Sequence, residues 1–178
     1  GNDGNGSNSG HTRIYQYASA TTTSTLLGSA TADSNGDFTI TSSTLSEGDY
    51  SLTTTATDAA GNTSSASSTL SFTIDTTPPT IAITSSASSL KAGETTTVTF
   101  TLSEAASDFI EDDISVSGGE LSDFASSSST VYTATFTPTA DSTTNGVISV
   151  ASSKFSDSAG NENADGSEDN NSLTLSVD

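Results

Sequence analysis

The sequence predicts an all-β fold built as two consecutive β-sandwiches, and three observations carry that prediction. Apolar residues recur at every second position in short runs, the pattern of strands with one buried face. The pentapeptide Asp58-Ala-Ala-Gly-Asn62 returns 99 residues later as Asp157-Ser-Ala-Gly-Asn161, so the chain reads as two copies of one kind of module. Between the copies stands Asp75-Thr-Thr-Pro78-Pro79, whose prolines remove two backbone donors and fix two φ angles, which suits a short stiff connector.

The first module is assigned residues 1–77. Strands are expected at Thr12–Ala18, Leu26–Ala32, Asp37–Ser42, Tyr50–Thr57 and Leu70–Asp75, because Phe38/Ile40, Tyr50/Leu52 and Leu70/Phe72/Ile74 each fall on one face. The second module is assigned residues 78–178. Its strands are expected at Ile81–Thr84, Thr95–Ser103, Ile114–Ser117, a short piece at Leu121–Ala125, then Val131–Thr137, Val147–Ala151 and Leu173–Val177. The clearest alternations there are Val98/Phe100/Leu102 and Tyr132/Ala134/Phe136. Seven short strands in about 100 residues match the size of an immunoglobulin-like sandwich.

Composition excludes several partner classes. Twenty-two acidic residues against three basic ones give a net charge of −19, a surface that repels nucleic acid and anionic lipid. No run of ~18 apolar residues is present, so no membrane-spanning helix is expected. Only 30% of residues are hydrophobic, which calls for thin cores. Low hydrophobicity with high charge also marks disorder, but a disordered tail has no reason to keep period two. The chain has no cysteine, which argues against a disulfide-stapled domain and leaves secretion open.

The string running from Gly28 to Pro79, with SNGDFTI, EGDYSLTTTATDAAGN and FTIDTTPP, resembles the bacterial immunoglobulin-like repeats found in tandem in large secreted adhesins and biofilm-associated proteins. The second half, with LKAGETTTVTFTLSEA, DDISVSGGELSDF, VYTATFTPTADSTTNG and SDSAGN, resembles a second subtype from the same kinds of protein. The resemblance implies tandem sandwiches that bind calcium and act as extenders at the bacterial cell surface, with neighbouring repeats of the same protein as partners. One departure is evident. Such modules open on an apolar strand, whereas Gly1–Gly10 has no apolar residue, so the first sandwich has an atypical or missing first strand. Residues Asp3–Tyr17 instead resemble a repeat of bacterial integrin-like propellers. An incomplete sandwich of this kind has either a frayed, truncated or rearranged amino edge or an open edge filled by a strand from another copy of the chain.

The residue types available for chemistry are oxygen ligands. In such a sandwich the loops joining strands two to three and six to seven share the amino-terminal pole, which places Glu104, Asp108, Asp157 and Asn161 together, with Asp75 of the connector arriving there. Glu111, Asp112 and Asp113 are close in sequence. Crowded carboxylates repel unless a cation neutralises them, and Ca²⁺ takes six to eight oxygens without Cys or His. By the same mapping Asp58 and Asn62 face the amino end near Asp3, Asn5 and Ser7, a D-x-N-x-S spacing that matches only the start of a calcium loop. Asp178 ends the chain as Asp75 ends the first module and is expected to face a calcium site of a following repeat.

The competing readings are plainer. Each DxAGN loop is also a turn whose Asp bonds its own backbone. Asp33, Asp37, Glu47, Asp123 and Glu168 read as solvated surface, His11 as a loop residue, and the acidic stretch Asp165–Asp169 as a flexible loop. An isopeptide bond from Lys91 or Lys154 has little support, since SLKAGE reads as an exposed turn. Enzymatic function is not expected: the chain has no Cys nucleophile, one His, no phosphate loop and no tryptophan. Two other non-enzymatic classes stay open. One is a glycan- or protein-binding module using Tyr15 and Tyr17; the other is a filament or surface-layer subunit assembled by strand exchange.

Overall fold

The computed structural model describes residues 11–17, 24–165 and 169–178. Asp3, Asn5 and Ser7, expected near a calcium loop, and Glu168, expected on a solvated surface, lie outside them. The chain divides into two compact units, Gly1–Asp75 and Thr76–Asp178.

In the first unit β1 (His11–Tyr17), β2 (Ser24–Thr31), β3 (Gly48–Thr57) and β4 (Leu70–Ile74) form an antiparallel sheet in the order β2-β1-β3-β4. Register shifts between Ile14 and Tyr15, which face Gly28 and Leu26, so Leu27 is bulged out of the edge strand. His11, expected in a loop, opens β1. The strand expected at Asp37–Ser42 does not form. Its residues lie against β2 without forming a strand: a Cβ on Gly28 would lie 2.6 Å from Ile40 Cγ2 and 3.2 Å from the Thr41 carbonyl oxygen, a space that glycine leaves open. Tyr50 stacks on its cross-strand partner Phe72 at 5.6 Å and donates its hydroxyl to the Ser46 carbonyl.

The far half of β3 continues its bonding through side chains. The Thr54 and Ala56 N–H groups donate to the hydroxyls of Ser67 and Ser64, while the Ser67 and Ser64 N–H groups donate to the Thr54 and Ala56 carbonyls. Serine thus substitutes for a regular strand over 63–68, which explains why that Ser-rich stretch lacks apolar alternation.

The second unit is a complete sandwich. One sheet runs β5 (Ile81–Ser85), β7 (Thr96–Leu102), β10 (Val131–Pro138), β9 (Gly119–Ser126). The other runs β6 (Ser89–Leu90), β12 (Ser172–Val177), β11 (Gly146–Val150), β8 (Ile114–Ser117). All pairs are antiparallel except β6 with β12. Inward residues of both sheets meet in one core of Ile81, Ile83, Val98, Phe100, Leu102, Ala134, Phe136, Ile148, Val150 and Leu175. Gly118, at φ 73°, carries the chain from β8 in one sheet to β9 in the other, and a Cβ there would collide with the Asn145 carbonyl oxygen. Across β10, β9 slips register between Ala125 and Ser122, with Asp123 at φ 54°. The adjacent Phe124 stacks on Tyr132 and meets Phe109 and Phe100 edge-on.

Candidate metal centre

The repeated pentapeptide folds the same way in both units. Asp157 N–H donates to the Asn161 carbonyl, Gly160 N–H returns to the Asp157 carbonyl, and Gly160 sits at φ 91°. Asp157 Oδ1 accepts the Ala159 and Asn161 N–H groups at 2.8 and 2.9 Å, and Oδ2 accepts Asn161 Nδ2 at 2.8 Å. Asp58 makes the corresponding bonds to Asn62 N–H and Nδ2, both 2.8 Å, with Gly61 at φ 89°. These bonds hold both carboxyls below the ordinary range; the side-chain amide of Asn62 or Asn161 contributes most, and the turn's backbone N–H groups add to it.

A third copy of the turn escapes the pentapeptide pattern. Asp33 Oδ1 accepts the Asn35 and Asp37 N–H groups, Gly36 N–H donates to the Asp33 carbonyl, and Gly36 has φ 92°. The shared signal is D-x-x-G-[DN]: an Asp to accept, a Gly three residues on for the left-handed position, and any residue closing the loop by its main chain. Asp33 and Asp37 are therefore a turn device as well as a solvated surface.

What distinguishes the Asp157 copy is its surroundings. Asp157 is buried, and Ala106 bridges to it from the loop that follows β7. Beneath this loop pair lies an aromatic cluster: Phe109 packs edge-on against Tyr132 at 5.0 Å and Phe155 at 5.2 Å, and the Tyr132 hydroxyl donates to the Ala106 carbonyl. Asn163, 1% exposed, sets the other flank. Its Oδ1 accepts the Lys154 and Phe155 N–H groups and its Nδ2 donates to the Ala151 carbonyl. Buried Asp165 accepts the Ile81 N–H through Oδ1 at 2.8 Å, and Ala164 N–H donates to the Pro79 carbonyl. The start of the second unit is thereby tied to the loop that carries Asp157.

On this support Asp75, Glu104 and Asp157 each bring one carboxylate oxygen within 4.8 Å of the others. Oxygens around one Ca²⁺ at 2.3–2.6 Å can be at most about 5.2 Å apart, so the spacing fits a shared ion. Three carboxylates at that distance repel by ~1 kcal/mol per pair in bulk water and ~3.5 at an effective dielectric of 20. A hard cation is the natural counterweight in a chain with three basic residues.

The other expected ligands are placed differently. Asp108 is committed to Ser156, accepting its N–H at 3.0 Å and its hydroxyl at 2.6 Å. Burial works to raise the Asp108 carboxyl, but those Ser156 bonds outweigh it and leave the group below its ordinary range. Glu111, Asp112 and Asp113 form a 3₁₀ turn, in which Asp113 Oδ2 accepts the Ile110 N–H. The crowding of seven acidic groups at one point thus reduces to three in the cluster. Asn161 donates its Nδ2 to Asp157 Oδ2, and Asn62 does the same for Asp58. Asp178 is exposed, with its N–H on the Leu90 carbonyl. Tyr15 and Tyr17 lie in β1.

Relatives share this architecture. A family model described as a bacterial Ig-like domain matches residues 75–175, and a second of the same description matches residues 6–76. No match was found among curated proteins. Among solved structures, invasin, described as a bacterial integrin-binding protein, aligns with 96% of this chain at 14% identity and a TM-score of 0.41. This chain spans 32% of the invasin structure. The fibronectin(III)-like modules of Clostridium thermocellum CbhA align with 93% of this chain and 76% of theirs, at 17% identity and a TM-score of 0.34. By the two family matches, which together run from residue 6 to residue 175, the chain belongs to the bacterial Ig-like domains.

Proposed function

We propose that the chain is a pair of calcium-rigidified extender repeats of a large extracellular bacterial adhesin, acting in adhesion and biofilm at the cell surface. The observation that supports calcium is the Asp75, Glu104 and Asp157 cluster, drawn from three separate stretches of chain, in which Asp157 is buried and Asp75 and Glu104 are partly exposed. The ion would tie the connector residue to the loops of the second unit and so stiffen the junction. Membership of the bacterial Ig-like domains supports the extender role, since each repeat is a structural module rather than a cleft.

Affinity need only be modest, ~10⁻⁴–10⁻³ M, in a calcium-rich exterior. At about 10 mM calcium that linkage stabilises the folded unit by roughly 1.4–2.7 kcal/mol. The test is thermal unfolding and small-angle scattering with calcium, with EDTA, and in Glu104→Gln. Calcium should raise Tm and stiffen the scattering envelope in the parent chain, and Glu104→Gln should lose most of both effects. An unchanged Tm and envelope on chelation sinks the calcium role.

A second reading, assembly through strand exchange, draws support from the single sheet described for the first unit, where Leu26 and Leu70 are exposed. Light scattering tests it: a chain that stays monomeric at high concentration removes the case.

A further inference from the structure

We propose that the first unit is a built-in weak link that opens before the second under tension, so that the chain lengthens in a fixed order. The two units are unequal in the quantity that chiefly holds a fold together, buried apolar surface. Of seventeen buried hydrophobic residues among those described, sixteen lie in the second unit and one, Tyr50, in the first. Leu70 is 62% exposed and Leu26 50%, both in strands of the sheet, and Phe38 beside it is 46% exposed.

The polar bonding of the first unit is weaker as well. The strand that leads out of the unit, β4, is held to β3 by a five-residue register from Gly48↔Ile74 to Leu52↔Leu70, beyond which bonding passes to exposed serine hydroxyls. The second unit closes two four-stranded sheets over a continuous core and cross-links its loops by the buried Asn163 and Asp165 bonds. Segments with few buried apolar contacts and water-exposed backbone bonds open first.

The mechanical use of this order rests on the extender reading; the order itself does not. Opening the first unit frees 75 residues, about 250–270 Å of extended chain, whereas the second holds 103 residues, about 340–370 Å. A stalk so built gains length at low load while the unit carrying Glu104 and Asp157 stays folded.

The experiment stretches the full 178-residue chain between handles in an optical trap, with calcium and then with EDTA. Two steps are expected, the shorter increment at the lower force in both conditions. A single combined step, or the longer increment first, overturns the proposal. A second step that ignores EDTA counts against the calcium reading and leaves the order of opening standing. Amide hydrogen exchange tests the same order without force: amides of β1, β3 and β4 should exchange well before those of β7, β10 and β11, and equal protection refutes the weak link.

Discussion

Replacing Asn163 by Ala tests whether one buried amide organises the pole that bears Asp157. The side chain is 1% exposed and makes three bonds to main chain: Oδ1 accepts from Lys154 at 2.7 Å and Phe155 at 3.1 Å, and Nδ2 donates to Ala151 at 3.0 Å. Its own N–H and carbonyl join Phe155 and Ser153 in the same loop and survive the change. Truncation leaves three backbone groups without their partner, each costing ~1–3 kcal/mol if buried and dry. The bonds to the Lys154 N–H and the Ala151 carbonyl are only partly buried, so both are discounted, giving a loss of about 2–3 kcal/mol. For a unit of this size that lowers Tm by at least about 8 °C. The assay is urea unfolding of the full chain followed by far-ultraviolet circular dichroism, with EDTA present so that metal linkage does not contribute. Only the higher-midpoint transition, that of the second unit, should move. A loss below about 1 kcal/mol would show that water replaces the amide freely, and the pole would then owe its shape to the aromatic cluster alone.

Two further outcomes follow from the turns. Asp37→Asn supplies the Nδ2 donor that Asn62 and Asn161 provide in the sister loops and removes a like charge beside Asp33. It should stabilise the first unit by about 0.5–1 kcal/mol in denaturant titration, and a destabilised unit would refute the equivalence of the three turns. Acidification acts on Asp108 and Asp157, whose folded carboxyls are held below the ordinary range. Depressed folded values contribute stability that is complete above the unfolded value near ~3.9 and is lost as pH falls through the folded values. In EDTA and about 0.5 M salt, which screens general repulsion in a −19 chain, the second unit should hold its stability from pH 7 to about 5 and lose it below about 4. Rising stability between about pH 5 and 3 would contradict the assignment.

The fold was legible wherever one face is buried and the other wet. In β7 and β10 every second residue is buried, so Val98/Phe100/Leu102 and Tyr132/Ala134/Phe136 declare both strand and face. The two-residue β6 is too short to show a period. Phe38 and Ile40 show the right period yet form no strand, because alternation reports an extended chain with two faces and does not report a hydrogen-bonded neighbour. The Ser-rich stretch 63–68 errs the other way: it bonds along β3 through hydroxyls and carries no apolar signal. Asn163 and Asp165 were invisible as anchors, since a polar residue whose value lies in main-chain groups far along the chain leaves no local pattern.

The repeated pentapeptide is the instructive case for the site. Three turns of the D-x-x-G-[DN] type share main-chain bonding and left-handed glycines, so the motif by itself encodes a turn. A carboxylate offers about four acceptor positions, and Asp157 spends three on its own loop. That expenditure does not compete with a cation; it fixes the group, so that the remaining lone pair is aimed before any ion arrives. Asp58 is fixed by its own asparagine in the same manner, yet among the described residues only Asp157 has carboxylates from two other stretches of chain close by. Glu104 reaches it because Ala106 bridges the two loops of the second unit. The turn is written in five consecutive residues, whereas the candidate metal centre is written in the topology that gathers three carboxylates from positions 75, 104 and 157. A search for the motif therefore finds turns, and only the strand order separates the one that is fit to hold an ion.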